Sequence, residues 1–98
     1  MVRLIKWDKK AADNLIAAIT FIGRDSIQNA EKVKKELLSK INDLKTRPEK
    51  YPLDKYKKGN QGIFRAFELH HYRVSYAVLD EEIIITQIRH TSMEPIEY

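Results

Sequence analysis

The stretch from residue 63 to residue 98, IFRAFELHHYRVSYAVLDEEIIITQIRHTSMEPIEY, constrains this chain more than any other. Three apolar runs rich in β-branched and aromatic residues follow one another there, separated by two very short polar breaks. Breaks that short admit only hairpins, so the runs are predicted to form an antiparallel three-stranded meander. Neighbouring strands lie about 4.8 Å apart, which would let Arg65, Arg73 and Arg89, one from each run, share one electrostatic field. In the middle run, alternation puts Tyr72, Val74, Tyr76 and Val78 on one face and Arg73 and Ser75 on the other. In the last run it sets Ile84, Thr86 and Ile88 against Ile83, Ile85, Gln87 and Arg89. The Arg65 run does not declare its outward side, because Ile63, Phe67 and Leu69 share the arginine's face.

Everything upstream reads as support for that sheet. Val2 to Trp7 is predicted to be a short strand. Asp8 is a candidate N-cap, its carboxylate accepting from the free amides of a first helical turn. Ala12, Leu15, Ile16, Ile19 and Ile22 follow at helical spacing, and Gly23 supplies a stop. Asp25 with Gln28 has the spacing of a capping box. It opens a second helix with the stripe Ile27, Ala30, Val33, Leu37, Ile41 and Leu44, closed by Pro48. Glu31–Lys35, Glu36–Lys40 and Asp43–Arg47 are spaced to pair on its outer side. From Arg47 to Gly62 the chain is rich in Pro, Lys, Gly and Asn and is predicted to be the one long loop. The expectation is one domain, residues 1 to 98, of α+β class: a β-α-α-β-β-β order, an antiparallel sheet and a two-helix hairpin packed on one face.

Charge and composition narrow the function classes. No cysteine is present, which excludes a disulfide framework and a zinc–thiolate site. No metal-ligand spacing, nucleophile motif or phosphate-binding glycine loop occurs, so neither metal nor cofactor is expected. No apolar run approaches a membrane span and no signal-peptide pattern opens the chain, so the expectation is a cytoplasmic protein with no membrane partner. The formal net charge is +4, which favours an acidic partner. In the second half the acids Asp80, Glu81, Glu82, Glu94 and Glu97 stand apart from the cations.

Arg65, Arg73 and Arg89 are the first candidates for a site, since guanidinium forks match phosphate oxygens and can stabilise a developing phosphorane. The plain alternative is that each pairs with a carboxylate such as Glu68 or lies along the sheet as cover. Arg73, between two tyrosines, fits the plain alternative best. Lys55, Lys57 and Lys58 flank Tyr56 and would offer phosphates a cationic, aromatic surface. His90 and Tyr98 are candidate general acids or bases. His90 follows Arg89 directly and should point to the opposite face. His70 and His71 occupy a turn.

The element order, with "FRAFEL", "HYRVSY" and "IIITQIRHTSMEPIEY" as successive strands, resembles the RelE/ParE superfamily of bacterial toxin–antitoxin toxins over nearly the whole chain. The resemblance implies a cognate antitoxin that wraps an acidic, otherwise disordered segment over the toxin. RelE-like members cut mRNA on the ribosome, using lysines before the second strand, sheet arginines and a C-terminal tyrosine or histidine. ParE-like members keep the fold and inhibit DNA gyrase without cleaving anything. Carried over by position, Lys55, Lys57 and Lys58 would hold RNA with Arg73. Arg65 and Arg89 would stabilise the phosphorane formed by 2′-hydroxyl attack, and Tyr98 or its substitute His90 would protonate the leaving oxygen. Tyr98 lies farther from Arg89 than the RelE pattern, with Pro95 between them, and the "RHTSMEP" ending looks more ParE-like. The expectation is a toxin acting as a metal-independent mRNA endoribonuclease. The alternatives are a gyrase inhibitor and an inactive, antitoxin-binding relative.

Overall fold

The computed structural model of the chain describes residues 2 to 93. The elements are β1 (Leu4–Trp7), α1 (Lys9–Gly23), α2 (Ile27–Asp43), β2 (Phe64–Leu69), β3 (Tyr72–Val78) and β4 (Glu82–His90). They give the expected α+β order. The sheet runs β1-β4-β3-β2. β2, β3 and β4 form the expected antiparallel meander, and β1 joins at the edge parallel to β4, so the sheet is mixed. A parallel neighbour needs a crossover, and the helical hairpin provides it. Among the described residues, no helix is long and apolar enough to cross a membrane.

The helices meet the sheet along narrower stripes than their composition suggests. On α1 the stripe is Ala11, Leu15, Ala18 and Ile22, packed against the core at i, i+4, i+7 and i+11. Ile16, one residue off that line, is 64% exposed, contrary to expectation. On α2 the expected stripe is buried from Ala30 to Leu44, but Ile27 stands 76% exposed at the helix start. The caps differ too. Asp8 is the N-cap of α1 but makes no side-chain capping bond. The N-cap of α2 is Ser26, whose hydroxyl accepts from the Asn29 N–H at 3.0 Å. The box expected from Asp25 and Gln28 is thus one residue out of register.

Two local features set the sheet's faces. His70 and His71 turn the β2–β3 hairpin with φ of 52° and 66°, the left-handed pair that a two-residue hairpin requires. On the α2 side, His70 Nε2 lies 3.1 Å from the Glu36 carboxylate. In β4 there is a bulge: Ser75 pairs with Gln87 but Tyr76 with Ile85, leaving Thr86 as the extra residue. Its hydroxyl donates to the Ser75 carbonyl at 3.0 Å. Strict alternation through β4 is therefore overturned. Ile83, Ile85 and Ile88 are all buried on one face, whereas alternation placed Ile88 opposite the other two.

Candidate functional site

Residues paired directly across strands share a face, so the register sorts the candidate residues. One face carries the rows Phe67–Val74–Ile88, Arg65–Tyr76–Ile85 and Leu69–Tyr72–His90. These rows include most of the sheet's buried core residues, and the helices cover them. The other face carries Glu68–Arg73–Arg89, Ala66–Ser75–Gln87 and Phe64–Ala77–Ile84. Arg73 and Arg89 therefore lie side by side on the helix-free face, and Arg65 belongs to the opposite one. The expectation of three arginines in one field holds for two of them.

Arg65 sits where edge strand β2 meets the loop. Its Nη1 donates to the Tyr51 carbonyl at 2.6 Å, next to the isolated bridge between Leu53 and Arg65. Close by, the Tyr76 hydroxyl donates to the Pro48 carbonyl at 2.9 Å, and burial pushes the Tyr76 phenol well above its ordinary range. Both side chains serve the Pro48–Tyr51 turn, closing the loop onto the sheet.

The helix-free face is organised around Arg73. Its Nη2 donates to Asp54 at 2.9 Å and its Nη1 to Glu68 at 3.0 Å. The Tyr56 ring lies against the guanidinium, 4.9 Å from ring centroid to Cζ. Burial alone would lower the Arg73 pKa, but the bonds and charge of Asp54, then of Glu68, outweigh it and hold the guanidinium above its ordinary value. Arg73 thus pairs with Glu68, the carboxylate that the plain alternative named, and with Asp54, which it did not name.

Asp54, invisible in the sequence reading, is the pivot of the loop. It is 2% exposed, and beyond Arg73 its carboxylate accepts from the Tyr56 N–H at 3.1 Å. Asn60 completes the tie. Its amide oxygen accepts from Gly62 and Phe64, and its nitrogen donates to the Phe64 carbonyl at 2.9 Å. The available signal was the short polar side chain two residues before a turn amide, which occurs at both Asp54 and Asn60. So the one long loop is pinned across the sheet. Lys55 Nζ stands 5.2 Å from the Tyr56 ring centroid and Lys57 Nζ 4.6 Å from that of Phe64, while Lys58 is exposed.

Arg73, Arg89, His90, Asp54, Tyr56 and Glu68 all border one small cavity of about 60 Å³. The His90 backbone belongs to the helix-covered row, as its adjacency to Arg89 predicted, and its ring stands edge-on to Tyr72 at 5.0 Å. His90 Nδ1 accepts from the Ser92 N–H at 3.1 Å and lies 2.6 Å from the Ser92 hydroxyl. In the neutral ring the proton is therefore on Nε2. Tyr98 lies outside the described residues. Among the described residues, no group of three or more His, Cys, Asp or Glu side chains could hold a metal ion.

The central guanidinium of the site is already matched by two carboxylates. No curated protein sequence gives a significant match. A solved structure described as a chromosomal ParDE toxin–antitoxin system from P. aeruginosa is similar in fold. Its TM-score is 0.70 at 18% identity, over 91% of this chain and 96% of that one. The family model for the ParE toxin of the type II toxin–antitoxin system parDE matches residues 5–95. The chain belongs to the ParE toxin family of type II toxin–antitoxin systems.

Proposed function

We propose that this toxin acts by binding its target rather than by cutting RNA, and that the target is DNA gyrase. One observation carries the reading: the sheet register separates Arg65 from Arg89, which face opposite sides. Two guanidinium groups on opposite faces of a sheet cannot grip the same phosphorane, whose stabilisation needs donors within about 3 Å of one developing oxyanion. Arg73, the nearest substitute, is bound to Asp54 and Glu68, and a phosphate would have to displace a buried carboxylate to reach it. Within the superfamily, gyrase inhibition belongs to the ParE-like branch, and the family match points there.

The nuclease reading keeps one observation in its favour. Arg73, Arg89 and His90 border the same cavity. An RNA-cutting version of this toxin would rest on those three side chains, with Lys55, Lys57 and Lys58 along the backbone path, and not on Arg65.

The test is to add purified toxin to gyrase with plasmid DNA, and in parallel to a translating extract with a defined mRNA. Loss of supercoiling or trapped cleaved DNA, with the transcript intact, is the expected result. Transcript cleavage on ribosomes with gyrase unaffected would overturn the proposal. A protein inert in both assays that still binds its antitoxin would be the inactive relative.

A further inference from the structure

The backbone of β4 exchanges its two sides partway along. Ile85 turns toward the β1 edge, since its carbonyl accepts from the Asp8 N–H at 3.0 Å. A residue's N–H and C=O leave a strand on the same side, and the side alternates from one residue to the next. Unbroken alternation would therefore turn Gln87 toward that edge and Ile88 toward β3. The structure has the reverse. The Ile88 N–H donates to the Asn14 side chain of α1 at 3.1 Å, while the Thr91 N–H, three residues on, donates to the His71 carbonyl at 2.7 Å. The extra residue Thr86 accounts for the exchange.

Asn14 thus takes an amide that faces α1 because of the bulge. The pairing of β1 with β4 ends at Trp7 with Ile85, so among the described residues no strand reaches Ile88 on that side. Ile88 is 4% exposed, and a buried amide needs a partner from the protein. Asparagine is a poor residue for a helix interior, where its side chain competes with the backbone; at position 14 it leaves the helix and serves β4. One turn earlier, Lys10 Nζ donates to Gln87 Oε1 at 3.0 Å, an exposed bond between side chains. Carried on from Tyr76–Ile85 without a bulge, the register would run Ser75–Thr86, Val74–Gln87, Arg73–Ile88 and Tyr72–Arg89. The Ile88 amide would then face β3, and Asn14 would lose it.

We propose that Asn14 is a positioning residue for the site on the helix-free face. By accepting from the Ile88 N–H it selects the bulged register of β4, and so sets Arg89 beside Arg73 rather than beside Tyr72 on the helix-covered face. It acts through the backbone of β4 from a helix on the far side of the sheet. The proposal concerns how the site is assembled and is independent of whether gyrase or RNA is the target.

The test is NMR on the full toxin and on its Asn14→Ala, Asn14→Asp and Lys10→Ala variants. Cross-strand contacts distinguish the registers: Arg73 with Arg89 and Val74 with Ile88 in the bulged form, Arg73 with Ile88 and Tyr72 with Arg89 in the other. The unmodified toxin is expected to show the first set alone. Asn14→Ala is expected to populate the second set and to speed exchange of the Ile88 amide by about tenfold or more. Asn14→Asp keeps an acceptor oxygen at the same place and is expected to restore the bulged contacts, and Lys10→Ala is expected to leave them intact. An Asn14→Ala toxin with the bulged contacts alone, or an Asn14→Asp toxin that loses them, would overturn the role of Asn14 while leaving the family and the gyrase proposal untouched.

Discussion

On the helix-covered face of the sheet, the row Arg65–Tyr76–Ile85 runs from an edge arginine into two side chains with no exposure. On the opposite face, the row Glu68–Arg73–Arg89 is polar throughout, and a pinned loop rather than a helix covers part of it. The same residue type therefore does different work on the two faces. Arg65 is spent on a backbone carbonyl that closes a loop. Arg73 is spent on two carboxylates that hold the loop down. Apolar burial supplies most of the stability of the first face, roughly 1.5–3 kcal/mol for each fully buried aliphatic side chain. The second depends on matched charges, where the cost of breaking a pair exceeds the worth of the pair itself. Arginines close in sequence become an anion site only when register and partners leave them on one face with their forks unclaimed.

This contrast can be attacked from its strongest side first. Ile85→Ala should lower the unfolding free energy by about 4 kcal/mol, read from urea denaturation; a loss near zero would mean that the helix-covered face is not the main core. Asp54→Ala should cost about 3 kcal/mol by removing the buried partner of Arg73 and leaving it only the exposed Glu68, and should also loosen residues 54–62 in hydrogen exchange. Adding Arg73→Met to that variant should recover much of the loss. A double variant as weak as Asp54→Ala alone would show that packing, not charge, anchors the loop.

A smaller effect concerns the buried phenol. Burial raises the Tyr76 pKa above its ordinary value of 10.0. Its contribution is complete below that pH, where both folded and unfolded forms keep the proton. Above it the unfolded chain ionises first, so stability falls as pH rises toward the folded value. Tyr76→Phe should flatten this alkaline decline and cost about 1 kcal/mol at neutral pH through the lost bond to the Pro48 carbonyl. An unchanged alkaline slope would assign the decline to other groups. The least effect is expected from Lys9→Ala, which breaks an exposed pair with Asp13 on the surface of α1: the melting temperature should not move measurably. A clear drop there would show that exposed pairs matter more to this domain than either face suggests.

Much of the architecture was legible because short-range rules governed it. Two-residue and three-residue breaks leave hairpins as the only connection, and the spacing of Ala30, Val33, Leu37, Ile41 and Leu44 names the buried side of α2. Ile16 and Ile27 misled because an apolar residue in an amphipathic segment need not lie on the line that meets the sheet. Asp54 was missed because its importance comes from Arg73, nineteen residues away, and no local pattern announces that partner. The cavity beside Arg73 was equally hidden, since it forms where the Asp54–Tyr56 loop meets β2, β3 and β4.

The meander, the helical hairpin and their order follow from the chain itself, because periodicity and turn length are properties of neighbouring residues. The faces of Arg65 and Arg89 were decided only in the folded sheet. Unbroken alternation would have put Arg89 with Ile83 and Ile85 against the helices, at the cost of burying a guanidinium. The bulge at Thr86 inserts one residue, keeps Ile88 in the core and sends Arg89 to the face of Arg73. A bulge is settled by the competition between burying isoleucine and keeping a charge in water across a paired strand, and that competition exists only once the strands have met.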